Sequence, residues 1–180
     1  MHVLLSHLKH SGRGEKLGSL ESTSAPKSSE LGKITYRLWP WMAWLLPVAL
    51  FALIAVAGAG GWEMLVVMLY SPIILPAYAL LSLLPRLIIR RSGRRATPHS
   101  VGVLLVVHWC SLAVGALFVC GYGDSGSLDS AMGEFLGWLP ESVENSVSLL
   151  GILIALISWL GVLILSVIKT RAGKQGDLAA

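Results

Sequence analysis

The segment Gly58-Ala59-Gly60-Gly61-Trp62-Glu63 decides how this chain folds. It interrupts residues 38–85, a stretch of 48 positions whose one charged residue is Glu63. As a single helix that stretch would be about 72 Å long at about 1.5 Å per residue, more than twice the roughly 30 Å of bilayer hydrocarbon. The chain must therefore turn back, and these glycines are the flexible point available, with the tip placed at Gly60 and Gly61. The halves become two spans, residues 38–61 and 64–85.

Composition agrees with that reading. Of the 180 residues, 54% are hydrophobic and 13% are charged, where a soluble domain carries about 25% charge. With a mean hydropathy of +0.71, too little polar surface remains to cover a water-soluble globule. The expected fold is an all-α integral membrane protein. Two more uncharged stretches, residues 101–120 and 147–168, complete four spans arranged as two hairpins. Residues 1–37 have the composition of a disordered basic cytoplasmic leader, and residues 169–180 that of a cytoplasmic tail. The apolar run at Leu4 and Leu5 is too short for a cleavable signal, so the first span is expected to act as an uncleaved anchor.

The loops divide by sign. All fourteen Lys and Arg lie in the leader, in the link between spans two and three, or in the tail. The segment between spans three and four carries Asp124, Asp129, Glu134, Glu141 and Glu144 and no base. By the positive-inside rule both termini are cytoplasmic and the protein is a multi-pass protein of the cell membrane. In the acidic loop Leu128, Met132, Phe135, Leu136 and Leu139 recur at helical spacing, which predicts an amphipathic interfacial helix over residues 127–139 anchored by Trp138.

Within and beside the spans, side chains suggest four kinds of contact. Trp39, Trp41 and Trp44 read as an aromatic anchor at the headgroups. Pro72 and Pro76, four residues apart with Tyr70, Ser71 and Tyr78 nearby, predict a kinked or locally unwound segment packed on protein, because a carbonyl left unpaired in lipid costs several kcal/mol. Arg86, Arg90, Arg91, Arg94 and Arg95 predict a short collar on the inner leaflet that contacts anionic lipid, with no role in nucleic-acid binding. Small residues recur at helical spacing, Ala52, Ala55 and Ala59 in the first span and Ser148, Gly151, Ala155 and Ser158 in the fourth, and suit close helix packing.

His108 is the ionisable group well inside a span, with Ser111 and Gly115 on its own helix face. It is expected to bond Ser111 or a tyrosine of span two. No second histidine lies within a span, so no cofactor is assigned, and haem ligation through His108 requires a partner's second ligand. Cys110 and Cys120, about 15 Å apart along one helix, cannot form a disulfide there. No P-loop, zinc-protease helix, nucleophile elbow or intramembrane carboxylate pair is present, so no catalytic residue or metal ligand is assigned. The expected function is a non-enzymatic accessory or assembly subunit of a larger membrane complex, partnered by other membrane subunits or by itself. The alternatives are a small oligomeric transporter or channel, and a membrane enzyme or haem-binding subunit using His108.

Overall fold

The computed structural model describes residues 30–93, 96–124 and 126–178, with the course of the chain alone over 172–178. The fold is mostly helical: α1 (Glu30–Ala57), α2 (Gly61–Arg91), α3 (His99–Leu117), β1 (Gly121–Gly123), β2 (Gly126–Leu128), α4 (Ala131–Leu136) and α5 (Glu141–Leu178). Four of these helices, α1, α2, α3 and α5, are long and apolar enough to cross a membrane. The break between α1 and α2 falls at residues 58–60, where Gly58 takes φ of +71° and α2 restarts at Gly61. A side chain at Gly61 would run into the backbone of Tyr122.

Several boundaries differ from the sequence reading. α1 starts at Glu30, inside the segment read as leader, and residues 1–29 lie outside the described residues. α5 runs on into the segment read as tail. No separate collar follows Pro85: α2 continues to Arg91, because Ile89 is buried in the core and holds that turn in the helix. The acidic loop is not wholly helical either. Gly121 to Gly123 pair antiparallel with Gly126 to Leu128, and α4 is confined to six residues. Ser130 caps its start by accepting the Gly133 N–H at 2.9 Å, and Gly137 ends it in the left-handed region at φ of +66°.

The tightest pairing joins α3 to α5. On α5 the residues Ser148, Gly151, Ala155, Ser158, Val162 and Ser166 are all buried, at spacings of three and four, while the intervening Leu and Ile side chains are mostly exposed. Gly151 faces Gly115 so closely that an added Cβ would lie 2.7 Å from the Gly115 Cα. Small residues remove the spacer between backbones, which is how helices gain dispersion contacts when lipid offers no hydrophobic drive. The buried serines are satisfied locally or across the seam: Ser148 donates to the Gly115 carbonyl at 3.0 Å, and Ser166 to that of Val162 at 2.6 Å.

All four long helices meet at the end carrying the basic residues. Trp39, Ile89, Val101, Leu105, Trp109 and Val162 form the core there. Trp39 is fully buried and donates its indole N–H to the Ser82 carbonyl at 2.8 Å, which corrects its reading as a headgroup anchor; Trp41 and Trp44 remain exposed. Below this core, the Thr35 and Thr97 hydroxyls lie 2.8 Å apart, and Thr97 also donates to the Gly32 carbonyl, tying the start of α1 to the link before α3. Toward the other end residues 65–70 of α2 are all exposed, although the helix start is tied to β1 through Gly61 and Glu63.

Candidate functional site

Three of the residues that carry chemistry converge where α2 crosses α3 and α5. Tyr78 and Ser82 are four apart on α2 and so share a face. His108 and Leu112 do the same on α3, and Ile152, Ala155, Leu156 and Trp159 complete the wall from α5. Together they line a cavity of about 280 Å³. His108 and Ser82 sit nine residues from the basic ends of their helices, about 13 Å along the axis, which is the middle of α3 and the last third of the longer α2.

His108 is 6% exposed, and its Nδ1 lies 2.8 Å from the Ala155 carbonyl oxygen. A carbonyl only accepts, so Nδ1 carries the proton and donates. Its partner is thus a backbone group of α5, not Ser111 or a tyrosine, because the methyl of Ala155 leaves the carbonyl open to an incoming ring. Ser111 instead lies along the α3–α5 seam, where its own carbonyl approaches Gly151. In the neutral ring Nε2 keeps a bare lone pair, and this atom is buried without a partner. Ser82, 3% exposed, also has a buried hydroxyl oxygen without a formed hydrogen bond. The Tyr78 hydroxyl is likewise buried without a formed hydrogen bond. Three polar atoms thus lie buried without partners on residues around this cavity, whose accessible surface is wholly apolar. Ser82 gives little signal in the sequence, where serine is frequent and only the i, i+4 spacing to Tyr78 marks it.

The remaining polar residues of α2 lie elsewhere. Ser71 donates to the Met68 carbonyl at 2.8 Å, the carbonyl that Pro72 leaves without its usual N–H partner. A hydroxyl thus stands in for the amide missing at Pro72, and α2 runs unbroken through Pro72 and Pro76, which corrects the reading of an unwound segment. Pro72 is exposed and Pro76 half-buried, so the pair does not pack on protein within this chain; Pro85 is the fully buried proline. Tyr70 is half exposed, about 12 Å along the helix from Tyr78. Arg86 places its guanidinium 4.8 Å from the centre of the Tyr36 ring. Arg90 and Arg91 are exposed, and Arg94 and Arg95 lie outside the described residues.

A second polar cluster closes the acidic end. Glu144, wholly buried at the start of α5, accepts the Ser130 N–H at 2.9 Å and the Cys120 thiol at 3.3 Å. Gly133 packs directly on its carboxylate, leaving no room for a side chain. Burial, the hydrogen bond to Glu144 and its nearby charge push the Cys120 thiol up to about 11. Trp62 donates to Asp124 at 2.9 Å, and Glu63 accepts the Tyr122 N–H at 3.0 Å, so the two turns of the acidic end are joined. Both carboxylates serve backbone and side-chain donors of the loops, a structural task. Among the described residues no set of three or more His, Cys, Asp and Glu is placed to hold a metal ion. Comparison with protein-family models, with curated proteins and with solved structures gives no match for this chain.

Proposed function

We propose that this chain is a non-enzymatic, four-span subunit of the cell membrane that works by associating with other membrane helices, those of a larger complex or of further copies. Its two hairpins turn at residues 58–60 and through the β1, β2 and α4 segment, and both termini are cytoplasmic. Joined turns at the acidic end and the Thr35, Thr97 and Gly32 contacts at the basic end support one common orientation, and the fourteen bases supply its sign.

The observation that carries the proposal is the exposure of residues 65–70 on every side of α2. Six consecutive positions cover more than a full helical turn, so no face of this stretch is packed on its own chain. Ala52 and Ala55 of α1 are likewise uncovered, whereas the equivalent small stripe of α5 is consumed by α3. An exposed apolar turn of α2, together with small uncovered residues on α1, supports docking by another helix.

Photoreactive side chains at Leu69 (74% exposed) and Ile157 (67% exposed) test this. Crosslinking in native membranes is expected to give protein adducts at Leu69 and lipid adducts at Ile157. Lipid adducts alone at Leu69 reject the proposal. Purification in mild detergent then identifies the partner as a different subunit or a second copy.

A further inference from the structure

A groove at the acidic end lies between the last turns of α1 and the short helix α4, and we infer that it binds a lipophilic cation, an apolar chain with a single ammonium head. The inference goes beyond the proposal of helix association and takes from it only that this end lies at a membrane surface. Crosslinking at Leu69 reads association separately, so either proposal can fail alone.

Leu53, Val56 and Ala57 of α1 and Met132 and Phe135 of α4 supply the apolar walls. The groove holds about 450 Å³, well above the roughly 150 Å³ that accommodates benzene in another protein. Behind it α4 is held in place, because Gly133 packs on the Glu144 carboxylate of α5. Val56 and Phe135 are 86% and 83% exposed, the two most exposed large apolar side chains among the described residues. Val56 is one residue from the end of α1, so these surfaces lie where the helix leaves hydrocarbon. An apolar chain laid along the groove removes them from water and continues past Leu53 into lipid.

Charge selects the head. Part of the groove's surface is polar, and Glu134 is the only lining residue with a polar side chain. Among the described residues its carboxylate has neither an ion pair nor a hydrogen-bonded partner. All fourteen Lys and Arg lie in the leader, the link and the tail, so a phosphate or carboxylate head finds no base here and is repelled. A neutral head leaves Glu134 unmatched. An ammonium head pairs with it, and the ring of Phe135 adds an aromatic face that attracts a cation.

The test uses the full chain in phosphatidylcholine nanodiscs at neutral pH, with dodecylammonium as probe and dodecanol and dodecanoate as controls. Binding is measured as saturable uptake over protein-free discs. Dodecylammonium should saturate, dodecanol should bind about fivefold more weakly, and dodecanoate should show no saturable uptake. Concentrated salt should bring dodecylammonium down to the level of dodecanol, because the pairing is screened. Glu134→Gln should do the same without added salt. Asp129→Asn removes an equal charge from an exposed residue outside the groove and should leave binding unchanged. Val56→Trp sets a large ring over the groove at a position with little packing to lose, and should remove the saturable uptake. The comparison of the three probes needs no variant, so it stands even where a substitution disturbs folding. No saturable uptake of dodecylammonium, or dodecanol binding as tightly, overturns the inference. So does parent-like binding by Glu134→Gln or Val56→Trp, or a loss in Asp129→Asn equal to that in Glu134→Gln, which would mark diffuse attraction to the acidic end.

Discussion

The Nδ1 of His108 lies 2.8 Å from the carbonyl oxygen of Ala155, a bond between a side chain of α3 and the backbone of α5. That carbonyl lies inside α5 and keeps its helical backbone donor, so removing His108 does not strand it. His108→Leu is expected to destabilise the protein by only about 0.6 kcal/mol, the average for such bonds between membrane helices. His108→Gln, which keeps a donor, should cost less still. Thermal unfolding in detergent measures both, and a loss above about 3 kcal/mol for the Leu variant would show that the histidine holds the bundle together.

Packing on the α3–α5 seam is expected to be far less tolerant. Gly151→Val places a branched side chain where even a Cβ meets the Gly115 backbone at 2.7 Å, and overpacking of this kind costs about 1–3 kcal/mol. Ala52→Val on the uncovered face of α1 should leave the isolated chain's thermal midpoint unchanged while reducing complex yield. If Ala52→Val lowers yield no more than a substitution at Ile157, the exposed stripe is not used for association.

At the acidic end, Glu144→Gln exchanges a double acceptor for a group with one acceptor and one donor. Since the Ser130 N–H and the Cys120 thiol both point at one carboxylate oxygen, the amide satisfies them only with its oxygen on that side, and its NH2 then lies against the tightly packed Gly133. A cost of about 1–3 kcal/mol is expected, read as earlier melting and faster proteolysis within residues 121–140. Unchanged proteolysis would show that the carboxylate is dispensable.

Cys120 gives a pH-dependent readout of the same cluster. Its folded thiol is raised to about 11 from an ordinary 9.0, so the folded protein holds this proton more tightly than the unfolded chain. The sign follows: this contribution to stability is intact below pH 9 and is lost between about pH 9 and 11. In a Cys110→Ser background, maleimide at pH 7.5 should modify native Cys120 about a hundredfold more slowly than unfolded Cys120, from thiolate supply alone. Glu144→Gln should narrow that gap, and equal rates in native and unfolded protein would contradict the buried, raised thiol.

Orientation is checked by cysteines introduced singly in a background lacking Cys110 and Cys120. Substitutions at Trp62 and Ser127 should react with a membrane-impermeant reagent from outside. Those at Ser19, Arg94 and Gly176 should react only after permeabilisation. External labelling at Arg94 would reverse or break the proposed topology.

Much of the architecture was legible in order of residues because lipid-compatible helices impose local conditions. Each of the four apolar stretches is read from length and charge alone, and the turn between the first two is marked by Gly58, Gly60 and Gly61. The small stripe of α5 was legible too, since Ser148, Gly151, Ala155 and Ser158 repeat at helical spacing. On α1 the same pattern has Ala59 buried but Ala52 and Ala55 uncovered, and nothing in the two patterns distinguishes them. That difference is decided by which helix lies opposite, a property of the whole bundle.

The site shows the same division. His108 announces itself as an ionisable group within an apolar stretch, whereas its bond to Ala155 could not be read, because a backbone carbonyl has no signature in sequence. Ser82 and the buried state of Glu144 emerge only when α2 meets α3 and α5, and when α4 folds over the start of α5. Sequence by itself determined the helices and the uneven placement of charge, since both follow from each segment's own solvation. Tertiary structure alone decided which polar atoms meet and which are left buried without a partner, since those depend on distances between residues far apart in the chain.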